Sequence, residues 1–181
     1  EDKLMTALHI FEERFGFSNE ESTESAIDLV NLHLMRGQLV DADRFSSKAS
    51  SGKGGRRQIL RTADTLMKFS TVYLAKSSDR SDSEIASKNL RRALAIKEAV
   101  LGPNDVQVAE ILNRIANLRA IEGFNDTETL AIYVRSLSIY VNHYGKDGHA
   151  DVATVLSNIG RTFFVRNQLD KAIFFQKKAL G

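Results

Sequence analysis

The chain of 181 residues has no cysteine and no tryptophan, and only one proline. Without cysteine it can hold no disulfide, no thiolate metal site and no cysteine nucleophile. That composition fits a reducing compartment. A single proline leaves little to interrupt a helix, and the abundance of Ala, Leu, Lys, Arg and Glu favours one. No apolar run approaches the roughly 18 residues needed to cross a bilayer. The opening Glu1-Asp2-Lys3 is not the start of a secretory signal. Histidine is also scarce: His9, His33, His143 and His149 are scattered, and none stands in a His-Glu-x-x-His arrangement. His33 falls at a helix-packing position and reads as structural. Glu12-Glu13 and Glu20-Glu21 are adjacent pairs, which do not share a helical face. The second pair suits a helix N-terminus. We therefore expect no catalytic residue, no metal and no cofactor, and no enzyme.

What the chain does have is a recurring pattern. Ala7-Leu8-His9-Ile10 is followed six residues later by Gly16. Ala93-Leu94-Ala95-Ile96 leads to Gly102, and Ser136-Leu137-Ser138-Ile139 leads to Gly145, at the same spacing. Ala179-Leu180-Gly181 begins the pattern again. The leucines at 8, 94, 137 and 180 lie 86, 43 and 43 residues apart, so the period is 43. A repeat of this length marks a solenoid, in which stacked units bury a continuous seam. The absent initiator Met and the stop within a repeat lead us to expect a fragment of a longer protein.

Periodicity and turn chemistry predict nine helices, at about 2–15, 22–36, 39–49, 57–76, 82–100, 105–121, 126–143, 150–165 and 168–180. Ser81-Asp82-Ser83-Glu84 reads as a capping box, Pro103-Asn104-Asp105 opens a helix, and Asn125-Asp126-Thr127-Glu128 caps another. Asn125-Asp126-Thr127 also matches a glycosylation acceptor, but capping explains it. Three glycines in Gly52-Lys53-Gly54-Gly55 make a loop. No strand-type alternation is evident. Short connections between such helices force antiparallel neighbours.

The pairs resemble tetratricopeptide repeats (TPR). Leu112, Ile115, Ala116 and Gly123 match the large, small and turn positions, as do Leu156, Ile159, Gly160, Asn167, Ala172 and Ala179. Ala26, Leu29, Gly37, Ala42 and Ala49 match too, and so do Leu66, Phe69, Ser70, Tyr73, Ala86 and Ala93. A small side chain at these positions lets the two helices of a pair approach. The period of 43 rather than 34 is similar to the kinesin-light-chain-like subclass, as are Leu101-Gly102-Pro103 and Leu112-Asn113-Arg114-Ile115-Ala116. The resemblance covers essentially the whole chain and departs from the pattern at 45–57 and 125–131. It implies an all-α, right-handed superhelical solenoid of antiparallel helix pairs. The expected division is one array: 1–16 as the second helix of a preceding repeat, then repeats at 22–50, 57–101, 105–144 and 149–181.

In such an array one face of the first helices lines a concave groove. At equivalent positions that face carries Asn31, Thr71, Asn117 and Arg161, with Asn113, Arg114 and Asn158 beside them. An amide both donates and accepts, so a row of Asn at repeat spacing suits the backbone of an extended peptide. Arg114 and Arg161 suit acidic groups on it. The plainer reading is the solvated side of amphipathic helices. A second candidate is the basic run Lys48, Lys53, Arg56, Arg57 and Arg61, with no acid between Asp43 and Asp64. It suits an acidic protein surface or membrane headgroups, or is simply a solvated loop. No aromatics interleave it, which argues against nucleic acid. Ser51-Gly52-Lys53-Gly54-Gly55 lacks the spacing of a phosphate-binding loop. Of Phe163, Phe164, Phe174 and Phe175, two are expected to face the core. The expected function is a protein–protein interaction scaffold or adaptor in the cytoplasm or an organelle interior. The alternative is a subunit of a large assembly, docking through its edges and its basic loop.

Overall fold

The structure, a computed structural model, describes residues 2–15, 20–35, 56–76, 80–145 and 149–180. They form eight helices: α1 (Asp2–Phe15), α2 (Glu20–Met35), α3 (Arg56–Lys76), α4 (Arg80–Leu101), α5 (Val106–Ile121), α6 (Thr127–Tyr144), α7 (Ala150–Val165) and α8 (Leu169–Ala179). Among the described residues there is no strand. Eight of the nine expected helices are present with ends displaced by two residues at most. The expected helix at 39–49 and the glycine loop lie outside the described residues.

The chain divides into two compact units, Glu1–Val100 and Leu101–Gly181. In the first, α1 packs on α2 and α2 on α3. Leu8, Ala26, Ile27, Leu29, Ala63, Leu66, Phe69, Ala86, Leu90 and Ala93 are buried there. Small residues at the crossings let backbone polar groups be reached. Buried Ser70 donates from Oγ to Leu66 O at 2.9 Å, within its own helix, and to Ala86 O at 3.1 Å, across to α4. His33 is buried as expected, at 3% exposure. Lys97, also buried, has its Nζ 2.7 Å from Asp64 Oδ1, so its charge is neutralised where water is scarce.

In the second unit α5 packs on α6, α6 on α7 and α7 on α8, with a smaller contact between α5 and α7. Val108, Ile111, Leu112, Ile115, Leu118, Tyr133, Ile139, Val155 and Ile159 form its core. The helix starts follow from capping. Asp105 accepts from Gln107 N and Asp126 from Thr129 N, both at 2.8 Å. His149 caps α7 by accepting from Asp151 N at 3.3 Å, a role not anticipated for it. The turns follow from backbone conformation. Gly123 between α5 and α6 has φ +92°, and Asn167, between α7 and α8, has φ +56°. These are the residue types that enter the left-handed region most easily. Phe163 and Phe175 are half-buried and stack at 5.4 Å, whereas Phe164 and Phe174 stay exposed.

Candidate partner-binding face

The polar row expected on the first helices is only partly assembled by the described residues. In the second unit α5 and α7 bring four of its members together. Asn158 Nδ2 donates to Asn113 Oδ1 at 3.1 Å, and Arg161 Nη2 reaches Asn117 Oδ1 at 3.5 Å. The Asn117–Arg161 rung joins residues 44 positions apart, the repeat period with its one extra turn residue, and the Asn113–Asn158 rung spans 45, one position further. Asn113 and Asn117 stand four residues apart on α5 and so share a face. Their Nδ2 groups donate to no described residue, and Asn158 Oδ1 accepts from none. The rungs therefore leave two amide donors and one acceptor without a partner among the described residues.

Arg114 behaves differently from its neighbours. Its Nε and Nη2 donate to Glu110 Oε1 at 3.2 and 2.9 Å, along its own helix. Thr71 is exposed on α3 and donates to Met67 O at 3.1 Å. Asn31 lies in α2, but its side chain is outside the described residues. Ile27 and Met67, which precede the polar positions of the first unit, are buried. In that unit the positions equivalent to Asn113 belong to the core, while Thr71, equivalent to Asn117, stays exposed.

Of the basic run, Lys48 and Lys53 lie outside the described residues, and Arg56 and Arg57 fall in the first turn of α3. Arg61 is engaged: its Nη1 is 2.6 Å from Glu24 Oε1 on α2. Part of that positive charge is thus met within the chain.

Two contributors to the face were not anticipated. Tyr133 on α6 is fully buried, and its hydroxyl donates to Asn117 Oδ1 at 2.7 Å. Burial pushes the Tyr133 hydroxyl up in pKa, against the pull of the Arg161 guanidinium. Gln176 on α8 occupies the equivalent place 43 residues later and bonds Ser157, Nε2 to Ser157 O at 3.1 Å. Both are polar at a second-helix position that carries Leu90 in an earlier repeat, and that departure was the available signal. Beside Gln176, a cavity of about 420 Å³ opens between α7 and α8, lined by Asn158, Arg161, Phe164, Ile173 and Leu180 among others.

Among the described residues no three His, Asp or Glu side chains are grouped to hold a metal, and no helix is long and apolar enough to cross a membrane.

This arrangement of helix pairs recurs in solved structures. BtubC (BKLC) from P. vanneervenii superimposes with a TM-score of 0.65, at 17% identity over 99% of this chain and 68% of that one. A putative kinesin light chain from Podosopora anserina, with nearly identical TPR-like repeats, gives 0.65 at 12% identity over 98% of this chain and 82% of that one. A single-substitution form of that protein gives 0.66 at 13% identity over the same shares. No protein-family model matches the chain, and no curated protein matches it. The fold is a TPR-like helical repeat. Among such repeats its fold is kinesin-light-chain-like.

Proposed function

We propose that the chain is a scaffold or adaptor whose α5–α7 face holds an extended segment of a partner protein. One observation carries this reading: the Asn113–Asn158 and Asn117–Arg161 rungs fix their side chains yet keep amide groups of both polarities open. Side chains already held in place lose little entropy on binding. Two open donors and an acceptor match the alternating carbonyls and N–H groups of an extended backbone. Arg161, exposed at the edge of the face, suits an acidic side chain on the same segment. The segments 22–50, 57–101, 105–144 and 149–181 serve in this reading as successive repeats, and the cytoplasm as the setting.

The test is a peptide display screen on the protein, followed by titration of the selected peptides. Asn117→Ala should weaken them by about 1–2 kcal/mol, with Asn113→Ala behaving alike. Unchanged affinity in both variants would remove this face from the function.

A second reading, a built-in subunit of a large assembly, is favoured by the apolar cavity between α7 and α8, where Phe164, Ile173 and Leu180 are exposed. Cross-linking with mass spectrometry in native extracts separates the two. A constant set of neighbours indicates a subunit. Variable partners that are lost on mutating Asn117 and Arg161 indicate an adaptor.

A further inference from the structure

A second cavity, of about 260 Å³, lies where α5 begins, α6 ends and α7 begins. It is lined by Val106, Gln107, Glu110, Tyr140, Tyr144 and Asp151. This is room for the end of a side chain, not for a single water. None of these residues belongs to the Asn–Arg rungs, so the site stands or falls separately from the peptide face.

One lining side chain is almost fully buried and yet unpaired among the described residues. Tyr140 is 4% exposed, yet its hydroxyl makes no hydrogen bond to any described residue. The hydroxyl of this otherwise buried residue therefore has bonding capacity left for a ligand atom that enters the cavity. Its pKa is raised, by burial first and then by the nearby Asp151 and Glu110 carboxylates, with Arg114 opposing. Two carboxylates, Glu110 and Asp151, thus line the cavity. Glu110 is already paired with Arg114. Among the described residues Asp151 has His149 beside it, with Nδ1 3.6 Å from Oδ2. That nitrogen accepts from Asp151 N, so the imidazole offers the carboxylate no proton there. Glu110, Asp151 and Arg114 together leave one negative charge unmatched.

We propose that this cavity receives the charged end of one lysine or arginine side chain from a partner protein. Asp151 is the counter-charge, and the Tyr140 hydroxyl accepts a hydrogen bond from the cation. The rings of Tyr140 and Tyr144 are near-parallel with centroids 6.1 Å apart and give the cavity an apolar lining for the stem of such a side chain, although one face of Tyr144 is covered by His149 at 3.4 Å. An anion is repelled by the two carboxylates. A hard metal ion needs six or more oxygens, and these two carboxylates, one already paired, fall short of that.

The test uses the whole chain labelled with nitrogen-15 and capped pentapeptides of glycine carrying a central lysine, arginine or acetyl-lysine. The lysine or arginine peptide should shift the amides of Gln107, Tyr140, Tyr144 and Asp151 saturably, and the acetyl-lysine peptide should not. Asp151→Asn and Tyr140→Phe should each weaken the effect roughly tenfold, as expected for losing a bond to a charged group. Both are near-isosteric, and thermal melts confirm that they fold. Silence from both basic peptides overturns the proposal. So do equal shifts with acetyl-lysine, or shifts that map to the Asn–Arg rungs and survive in both variants.

Discussion

At the scale of single residues, the face is organised by an oxygen rather than by a charge. Asn117 Oδ1 is shared by the Tyr133 hydroxyl and the Arg161 guanidinium. Tyr133→Phe keeps the ring in the core and removes one of these donors. We expect about 1 kcal/mol lower stability in urea unfolding, the usual worth of one such bond. The tyrosines also set an alkaline limit. Tyr133 and Tyr140 both have pKa values raised above the ordinary 10.0 by burial. Above pH 10 the unfolded chain releases these protons while the folded chain retains them, so stability is full below pH 10 and falls as the pH rises further. The loss between pH 9 and 11 should be smaller in Tyr140→Phe than in the unchanged protein. An equal loss would place the cause elsewhere. Asp126 works at the other end: its bonds from Thr129 and Arg119 lower its pKa below 3.8. Its contribution is present above that pH and fades below it. The positions of Asn113, Asn117, Asn158 and Arg161 were legible in the sequence because repeat spacing assigns them to one face. Their partners were not. Whether an amide oxygen is taken depends on how far Tyr133 reaches from the next helix, which no spacing rule encodes.

At the scale of elements, the sequence was most legible where backbone conformation constrains it. Gly102 and Gly145, 43 residues apart, have φ +95° and +91°, so the pattern that first revealed the repeat is a conformational requirement. Helix ends were less legible by a residue or two, since polar residues on either side of a start can each serve as a cap. His149 was read only as a lone histidine, although its ring nitrogen caps α7. Gly160 shows what the small-residue rule means physically. A Cβ there would lie 3.1 Å from Gln176 Nε2 and 3.2 Å from Ala172 O. The amide can swing away, but the backbone carbonyl moves only with α8. Gly160→Ala gains about 1 kcal/mol of helix propensity and loses about 1–3 kcal/mol to crowding, so it should lie near balance or slightly below. Gly160→Val gains less from propensity and crowds more. It should lower stability by about 2 kcal/mol in chemical denaturation.

For the molecule as a whole, the consequence is that such damage stays local. Contacts in the second unit run from each helix to the next, with only a small bridge between α5 and α7. In a repeat protein, stability is a sum of unit and neighbour-interface contributions, and separate segments open separately. Prising α8 away with Gly160→Val therefore weakens the α7–α8 interface directly and α5–α6 only through α7. Val108, Ile111 and Ile115 hold α5 against α6 with buried apolar side chains, and Ser136 Oγ donates to Ala109 O at 2.7 Å across the same interface. Hydrogen exchange should find the amides of α8 and the end of α7 losing protection by a factor of about 30, the equivalent of 2 kcal/mol. Amides from Ile111 to Ile115 should lose far less. Equal losses in both places would mean that Leu101–Gly181 opens as one block, and the repeat would then be a pattern of sequence and shape but not of energy.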